Sequence, residues 1–206
     1  MLHGPSTRSG GKSSRKLSRS DLTGKVVKAL GAFPTTFYGT TRMAEVTVSG
    51  TRRTFFVADP TTLDIPRYDK DGRLLSVLHL NEKAEAMTGK DLLPDFSPRD
   101  TPGVTPPPMP TLTQVTVWPF YRRVLTDDVG RWWVQDYPRD YVTAPAVWTA
   151  IDSTGKLLGR LTIPKPKGAA DISVSAFTAN GVFVKRRDAD GAVHFTLYHL
   201  TLKPGP

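Results

Sequence analysis

Residues 148–158 read Trp148-Thr-Ala-Ile-Asp152-Ser-Thr-Gly155-Lys-Leu-Leu158, a pattern that is typical of a β-hairpin. Strand-forming side chains lie on both sides of the four residues 152–155. An Asp side chain accepts hydrogen bonds from backbone N–H groups a few positions ahead, and a Gly adopts the positive φ that closes a short hairpin. The stretch therefore predicts a strand, a turn and a second strand.

Four more copies of this Asp-x-x-Gly spacing lead into an apolar stretch, and they begin at Asp21, Asp69, Asp127 and Asp188. A short apolar segment follows each Gly, as in Arg131-Trp-Trp-Val134. These segments are rich in Val, Leu, Phe, Tyr and Trp, the side chains that suit a pleated surface. We therefore predict an all-β protein of antiparallel hairpins over residues 21–206.

Two segments interrupt this pattern. Residues 81–90 contain good helix formers with a Gly near the end, so they predict one short helix. Residues 93–110 contain seven prolines, which cannot donate to a strand ladder. We expect this second segment to be an extended connection between units of sheet.

The first twenty residues are dominated by Ser, Gly, Arg and Lys, and they predict a disordered basic tail over residues 1–20. Five of the positive charges that make up the net charge of +9 lie in this tail. The remaining excess charge on residues 21–206 is modest for a nucleic-acid-binding domain. We therefore do not expect nucleic acid as a partner, and if it binds, it should bind to residues 1–20.

Composition also excludes several classes of site. The chain contains no cysteine, so disulfides, thiolate metal sites and cysteine nucleophiles are ruled out. No run of about 18 apolar residues predicts a membrane span. The first thirty residues lack the apolar core of an export signal, and the cellular location stays open.

The histidines and the Asp-rich turns predict neither a metal site nor a cofactor. None of the four histidines, at positions 3, 79, 194 and 199, has metal-ligand spacing to another. The turns at Asp69 and Asp188 begin like calcium loops, but Leu80 and His199 occupy the position where such a loop needs Glu. No nucleophile motif or phosphate-binding loop occurs either. We therefore expect a non-catalytic protein.

The segment from Pro110 onward resembles the closing part of bacterial six-bladed β-propellers of the NHL-like type. The resemblance lies in Val124-Leu-Thr-Asp127-Asp-Val-Gly130-Arg-Trp-Trp-Val134-Gln135 and in residues 148–164. It continues in residues 181–184, in Asp190-Gly191 and in residues 195–200. The resemblance implies four-stranded antiparallel blades of roughly 40 to 50 residues, so this chain has room for about three or four of them.

A propeller that lacks blades leaves open sheet faces and unpaired edges, which favour self-association. We therefore interpret the chain as a fragment of a longer propeller, a mis-started reading frame, or a half that pairs with another chain. The family implied by the resemblance is usually exported to the cell envelope. These expectations concern assembly and location rather than chemistry.

One polar and aromatic cluster is the candidate ligand site: Trp118, Tyr121, Arg122 and Arg123. In a propeller, the segment that precedes an inner strand reaches the mouth of the central channel. Aromatic faces and guanidinium groups there can hold an anionic or sugar-like small molecule. The alternative is that the aromatic rings pack in the core and the arginines are solvated.

Three functions stay open on this sequence. The leading hypothesis is a non-catalytic module that binds an unknown small molecule or protein. The second is a propeller-type hydrolase or lyase with its site at the channel mouth. The third is nucleic-acid binding through residues 1–20, which would weaken steeply with salt.

Overall fold

The computed structural model describes residues 2–3, 6–9, 12–20, 23, 25–38, 42–44, 47–51, 53–87, 117–139, 144–166 and 169–201. The regular secondary structure in these ranges consists of antiparallel β-strands. In chain order the strands are β1 Leu2–His3, β2 Ser6–Ser9, β3 Lys12–Ser20, β4 Val26–Tyr38, β5 Arg42–Ala44, β6 Thr47–Gly50, β7 Thr54–Ala58, β8 Asp64–Asp69, β9 Leu74–His79, β10 Arg123–Thr126, β11 Trp132–Gln135, β12 Ala146–Ile151, β13 Leu157–Ile163, β14 Ala169–Thr178, β15 Gly181–Asp188 and β16 Val193–His199.

The strands form four sheets. Sheet I has the order β1-β3-β4-β5, with β2 also paired to β3. Sheet II is β6-β7-β8-β9, sheet III is β10-β11-β12-β13, and sheet IV is β14-β15-β16. In sheets II to IV every strand pairs with its neighbour in the chain, so each sheet is a simple meander of hairpins.

The predicted turns are present wherever the structure describes them. Each of four turns contains a Gly with φ between 85° and 94°, at positions 72, 130, 155 and 191. In the turn at Asp152, Oδ1 accepts hydrogen bonds from the backbone N–H groups of Thr154 (2.8 Å) and Lys156 (3.0 Å). The turns at Asp69 and Asp127 contain the same pair of bonds. The fifth turn, at Asp21, lies outside the described residues.

The core consists of apolar layers between successive sheets, because alternate side chains of a strand point to opposite faces. On β7, Phe55 and Val57 pack with Leu17 of sheet I. Their neighbour Phe56 faces sheet III, and its ring stacks on Trp132 with centroids 5.3 Å apart. Trp133, next in the chain, packs instead toward sheet IV.

The first strands of sheets II, III and IV lie side by side and run in the same direction. The backbone N–H groups of Val124 and Thr126 on β10 donate to the hydroxyls of Thr47 and Ser49 on β6, at 3.3 and 3.2 Å. On the other side of β10, Arg123 reaches β14. The described sheets approach one another most closely through these first strands. Meandering sheets that share such an inner edge form a partial β-propeller, as expected.

Three expectations for individual segments have different outcomes. Residues 12–20, part of the predicted disordered tail, form β3 and pair with β4, because Leu17 is buried against Phe55 and Val57. The prediction of a helix over residues 81–90 is wrong for residues 81–87, which form no helix; Ala86 instead forms an isolated β-bridge with Val117. The proline-rich connection over residues 93–110 lies outside the described residues.

Candidate functional site

The candidate residues lie at one end of sheets II and III. In an antiparallel meander, the start of the first strand and the connection between the second and third strands lie at the same end. We call this the upper end; it contains residues 59–63, 117–122 and 136–139. Two contacts confirm that these segments meet: the Phe120 N–H donates to the Pro60 carbonyl at 2.9 Å, and the Arg122 N–H donates to the Gln135 carbonyl at 2.8 Å.

The structure places the two aromatic candidates in the interior. Tyr121 is 1 % exposed, and its hydroxyl donates to the Asp59 carbonyl at 2.7 Å. Burial raises the pKa of Tyr121 far above its ordinary value, and the charge of Asp59 adds to this effect. Trp118 is also buried and packs tilted against Tyr137. Both rings therefore hold the 117–122 segment against the sheets rather than offering a free face.

The two arginine candidates differ in their surroundings. Arg122 is exposed, whereas Arg123 is half-buried at the start of β10. The Arg123 Nη1 atom donates to the Val174 carbonyl of β14 at 3.2 Å. Desolvation lowers the pKa of Arg123, and the positive charge of Arg122 lowers it further. Among the described residues, no carboxylate forms an ion pair with Arg123.

Other arginines near the upper end have carboxylate partners. Arg160 lies 2.5 Å from Asp136, and Arg139 lies 2.5 Å from Glu85. The Arg139 guanidinium also lies over the Trp118 ring, 4.4 Å from its centroid. Burial raises the pKa of Asp136, although Arg160 partly opposes that rise. Arg139 and Arg160 therefore each pair with a carboxylate, whereas the partner described for Arg123 is a backbone carbonyl.

Two histidine–aspartate pairs at the same end were missed by sequence reasoning. His79 Nδ1 lies 2.7 Å from Asp64, and His194 Nε2 lies 2.8 Å from Asp188. Each pair joins two strands of a hairpin, with 15 positions separating Asp64 from His79 and six separating Asp188 from His194. A bulge between Arg67 and Tyr68 shifts the register, so counting outward from the turn at Asp69 does not place Asp64 opposite His79. In the other hairpin, His194 lies opposite Arg186 and reaches Asp188 diagonally. Within the described ranges, neither imidazole contacts a hydroxyl nucleophile, and no three His, Asp or Glu side chains converge as metal ligands.

The most buried charge lies at the opposite, lower end. The Asp127 side chain is fully buried in the turn between β10 and β11, and its Oδ2 accepts hydrogen bonds from Arg131 Nε (2.5 Å) and Trp133 Nε1 (3.1 Å). Arg131 continues to the carbonyls of Thr178 and Ala179, in the turn of sheet IV. These contacts connect two blades at the lower end.

Comparisons with known proteins identify no family for this chain. No protein-family model matches the sequence, and no curated protein matches it either. Among solved structures, one described as a streptogramin B lyase is 13 % identical, with a TM-score of 0.33 over 95 % of this chain and 68 % of that one. A virginiamycin B lyase from Staphylococcus aureus is 12 % identical, with a TM-score of 0.29 over 95 % and 69 %. The described part of the chain contains no helix that could cross a membrane.

Proposed function

We propose that the protein is a non-catalytic binding module built on part of a β-propeller, and that its upper end holds an anionic ligand at Arg122 and Arg123. The observation that carries this proposal is the half-buried guanidinium of Arg123. It has a carbonyl partner and a neighbouring positive charge, and no carboxylate pairs with it among the described residues.

An anion bound at this position would offset two effects that destabilise the charged Arg123 side chain. Arg123 has lost part of its hydration, and it is repelled by Arg122. Carboxylate and phosphate groups match the planar fork of a guanidinium and form charge-assisted hydrogen bonds with it. The ligand class that fits best is therefore a small carboxylate or phosphate compound.

In this proposal the aromatic candidates act indirectly. Trp118 and Tyr121 are buried, so they anchor the segment that carries the arginines instead of stacking on a ligand. The family resemblance adds that the complete ring has six blades, is NHL-like and is of bacterial origin. The four described sheets would form part of that ring.

Isothermal titration calorimetry with inorganic phosphate and with citrate tests the proposal. We compare the wild-type protein with Arg122→Gln, Arg123→Gln and the double variant. Arg53→Gln is the matched control, because Arg53 is exposed in the turn between β6 and β7 at the lower end. Binding that is lost in the double variant and kept in the control supports the proposal. Equal binding by all variants, or no binding by the wild type, contradicts it.

A further inference from the structure

Sheet IV ends at an exposed edge. Its third strand, β16, pairs with β15 and with no other strand in the described part of the chain. All seven residues of β16 are exposed, including Phe195 (68 %) and Leu197 (47 %). Sheets II and III each have a fourth strand beyond this position. The outer side of β16 is therefore where a further strand would pair.

The hydrogen bonds of sheet IV show which residues of β16 face this edge. The Asp188 N–H donates to the Ala192 carbonyl, and the Leu200 N–H donates to the Asn180 carbonyl. Because bonded and non-bonded pairs alternate along an antiparallel ladder, the even-numbered residues of β16 bond to β15. The backbone groups of the odd-numbered residues, at positions 193, 195, 197 and 199, point outward.

We propose that β16 pairs antiparallel with β16 of a second copy of this chain, across a twofold axis at Thr196. This register places Phe195 opposite Leu197 of the other copy, and Val193 opposite His199. Both members of each of these pairs have outward backbone groups, so each pair exchanges two hydrogen bonds. The two sheets then join into one continuous sheet of six strands.

The side chains of β16 suit a symmetric contact. The strand contains no Asp, Glu, Lys or Arg, so two copies meet without opposing like charges apart from any protonated histidine. Phe195 and Leu197 lie on one face with Phe183, which is 39 % exposed. Aromatic and aliphatic side chains opposite each other stabilise an antiparallel pair. Pairing merges the apolar stripes of both copies and continues the ladder already formed by β15 and β16.

The other exposed outer strand fits such a contact less well. Strand β9 also carries exposed apolar residues, with Leu75 at 51 % and Val77 at 50 %. However, Leu78 of β9 packs against the core layer between sheets II and III, and β9 is already the fourth strand of its sheet. It therefore provides a matched control for experiments on β16.

Cross-linking tests the position of the twofold axis. The chain has no cysteine, so Thr196→Cys and the control Ser76→Cys on β9 each introduce one thiol. In the proposed register the two introduced thiols lie in a non-hydrogen-bonded pair, whose Cα atoms are about 4.5 Å apart and within disulfide range. Mild oxidation with oxidised glutathione should give a covalent dimer of the Thr196 variant only. Equal dimer in both variants, or none in either, contradicts the proposal.

Complementary charges test the register. Sedimentation equilibrium should show dimerisation of the wild type and a dissociation constant weaker by roughly tenfold or more for Phe195→Lys and for Leu197→Glu. Mixing these two variants should restore association, because the introduced lysine and glutamate then face each other. Val77→Lys should leave the dimer unchanged. A monomeric wild type, or a dimer that Phe195→Lys does not weaken, overturns the proposal, and the first result would indicate a different partner for this edge.

Discussion

The Nε atom of Arg131 lies 2.5 Å from Oδ2 of Asp127, in a turn where the Asp127 side chain is fully buried. The same arginine donates to the Ala179 carbonyl at 2.6 Å, so one side chain connects the turns of sheets III and IV. A buried carboxylate needs this compensation because desolvation penalises its charge. The contact therefore links two neighbouring blades at the lower end.

Removing this charge should destabilise the protein strongly. Asp127→Asn leaves the partly buried Arg131 without its counter-charge, and we expect the free energy of unfolding to fall by about 3 kcal/mol. The control Asp152→Asn changes the corresponding residue of a solvent-exposed turn and should have a clearly smaller effect. Urea unfolding of both variants measures the difference. Equal losses would show that the connection between sheets III and IV contributes nothing beyond the turn itself.

The two buried tryptophans of the layer between sheets III and IV should respond differently to the same substitution. Both rings contact Phe177, with centroids 4.0 Å apart for Trp133 and 5.0 Å apart for Trp148. Trp133 Nε1 donates to Asp127, whereas Trp148 Nε1 has no hydrogen-bond partner among the described residues. Trp133→Phe should therefore cost about 1 to 2 kcal/mol more than Trp148→Phe. Thermal and urea unfolding decide this, and a larger loss for Trp148→Phe would refute it.

Through Asp136, the free energy of unfolding should fall as the pH rises. Burial raises the pKa of Asp136 in the folded protein above its ordinary value of 3.8, so the folded state binds this proton more tightly than the unfolded state. The contribution to stability is complete below the unfolded pKa and is lost as the pH rises through the folded pKa. Asp136→Asn should remove this fall, which urea unfolding from about pH 4 upward measures.

Asp152 is the control of opposite sign. The Thr154 hydroxyl and two backbone N–H groups lower the pKa of Asp152 in the folded protein. Its contribution is present above the unfolded pKa and is lost as the pH falls through the folded pKa. Asp152→Asn should therefore reduce stability most at neutral pH and least in acid. If the effects of Asp136→Asn and Asp152→Asn on the free energy of unfolding varied with pH in the same direction, the opposite pKa shifts of the two carboxyl groups would be disproved.

Gly130 isolates the cost of backbone conformation. Its φ is +86°, and a Cβ atom built at this position meets nothing within 4 Å. Gly130→Ala should therefore cost about 1 to 2 kcal/mol from the left-handed backbone alone. Gly130→Asn should cost less, because Asn tolerates this region. If both variants unfold like the wild type, the turn does not require a positive φ.

Much of the local architecture follows from short-range chemistry. The turns at Asp69, Asp127 and Asp152 close on themselves, because the Asp carboxylate and the Gly backbone lie within five residues of each other. For that reason the spacing Asp-x-x-Gly predicted the hairpins. The turn at Asp188 keeps its Gly, but its carboxylate contacts His194 and Arg186 instead, and Asp190 accepts the Ala192 N–H. The contact between Asp188 and His194 depends on how β15 and β16 pair across the hairpin.

The segments on which the predictions failed are those whose structure depends on distant partners. Residues 12–20 are polar and basic, and their composition alone favours disorder. However, these residues form strand β3 of sheet I, and the apolar side chain of Leu17 on this strand is buried against sheet II. The 81–87 segment likewise follows a bridge to Val117 rather than its own helix propensity. Tertiary contacts override weak local preferences.

Residues close together in the chain were enough to predict the all-β class and the antiparallel hairpins. They also singled out Trp118, Tyr121, Arg122 and Arg123 as a candidate cluster, which stays a prediction. Packing between the sheets places Trp118 and Tyr121 in the interior, brings Arg123 to β14, and leaves β16 exposed on both faces at the end of sheet IV. These features could not be settled from local sequence, because burial and charge pairing depend on which sheets pack together. Alternation along a strand places a side chain on one of two faces, and only the neighbouring blade determines which face is covered.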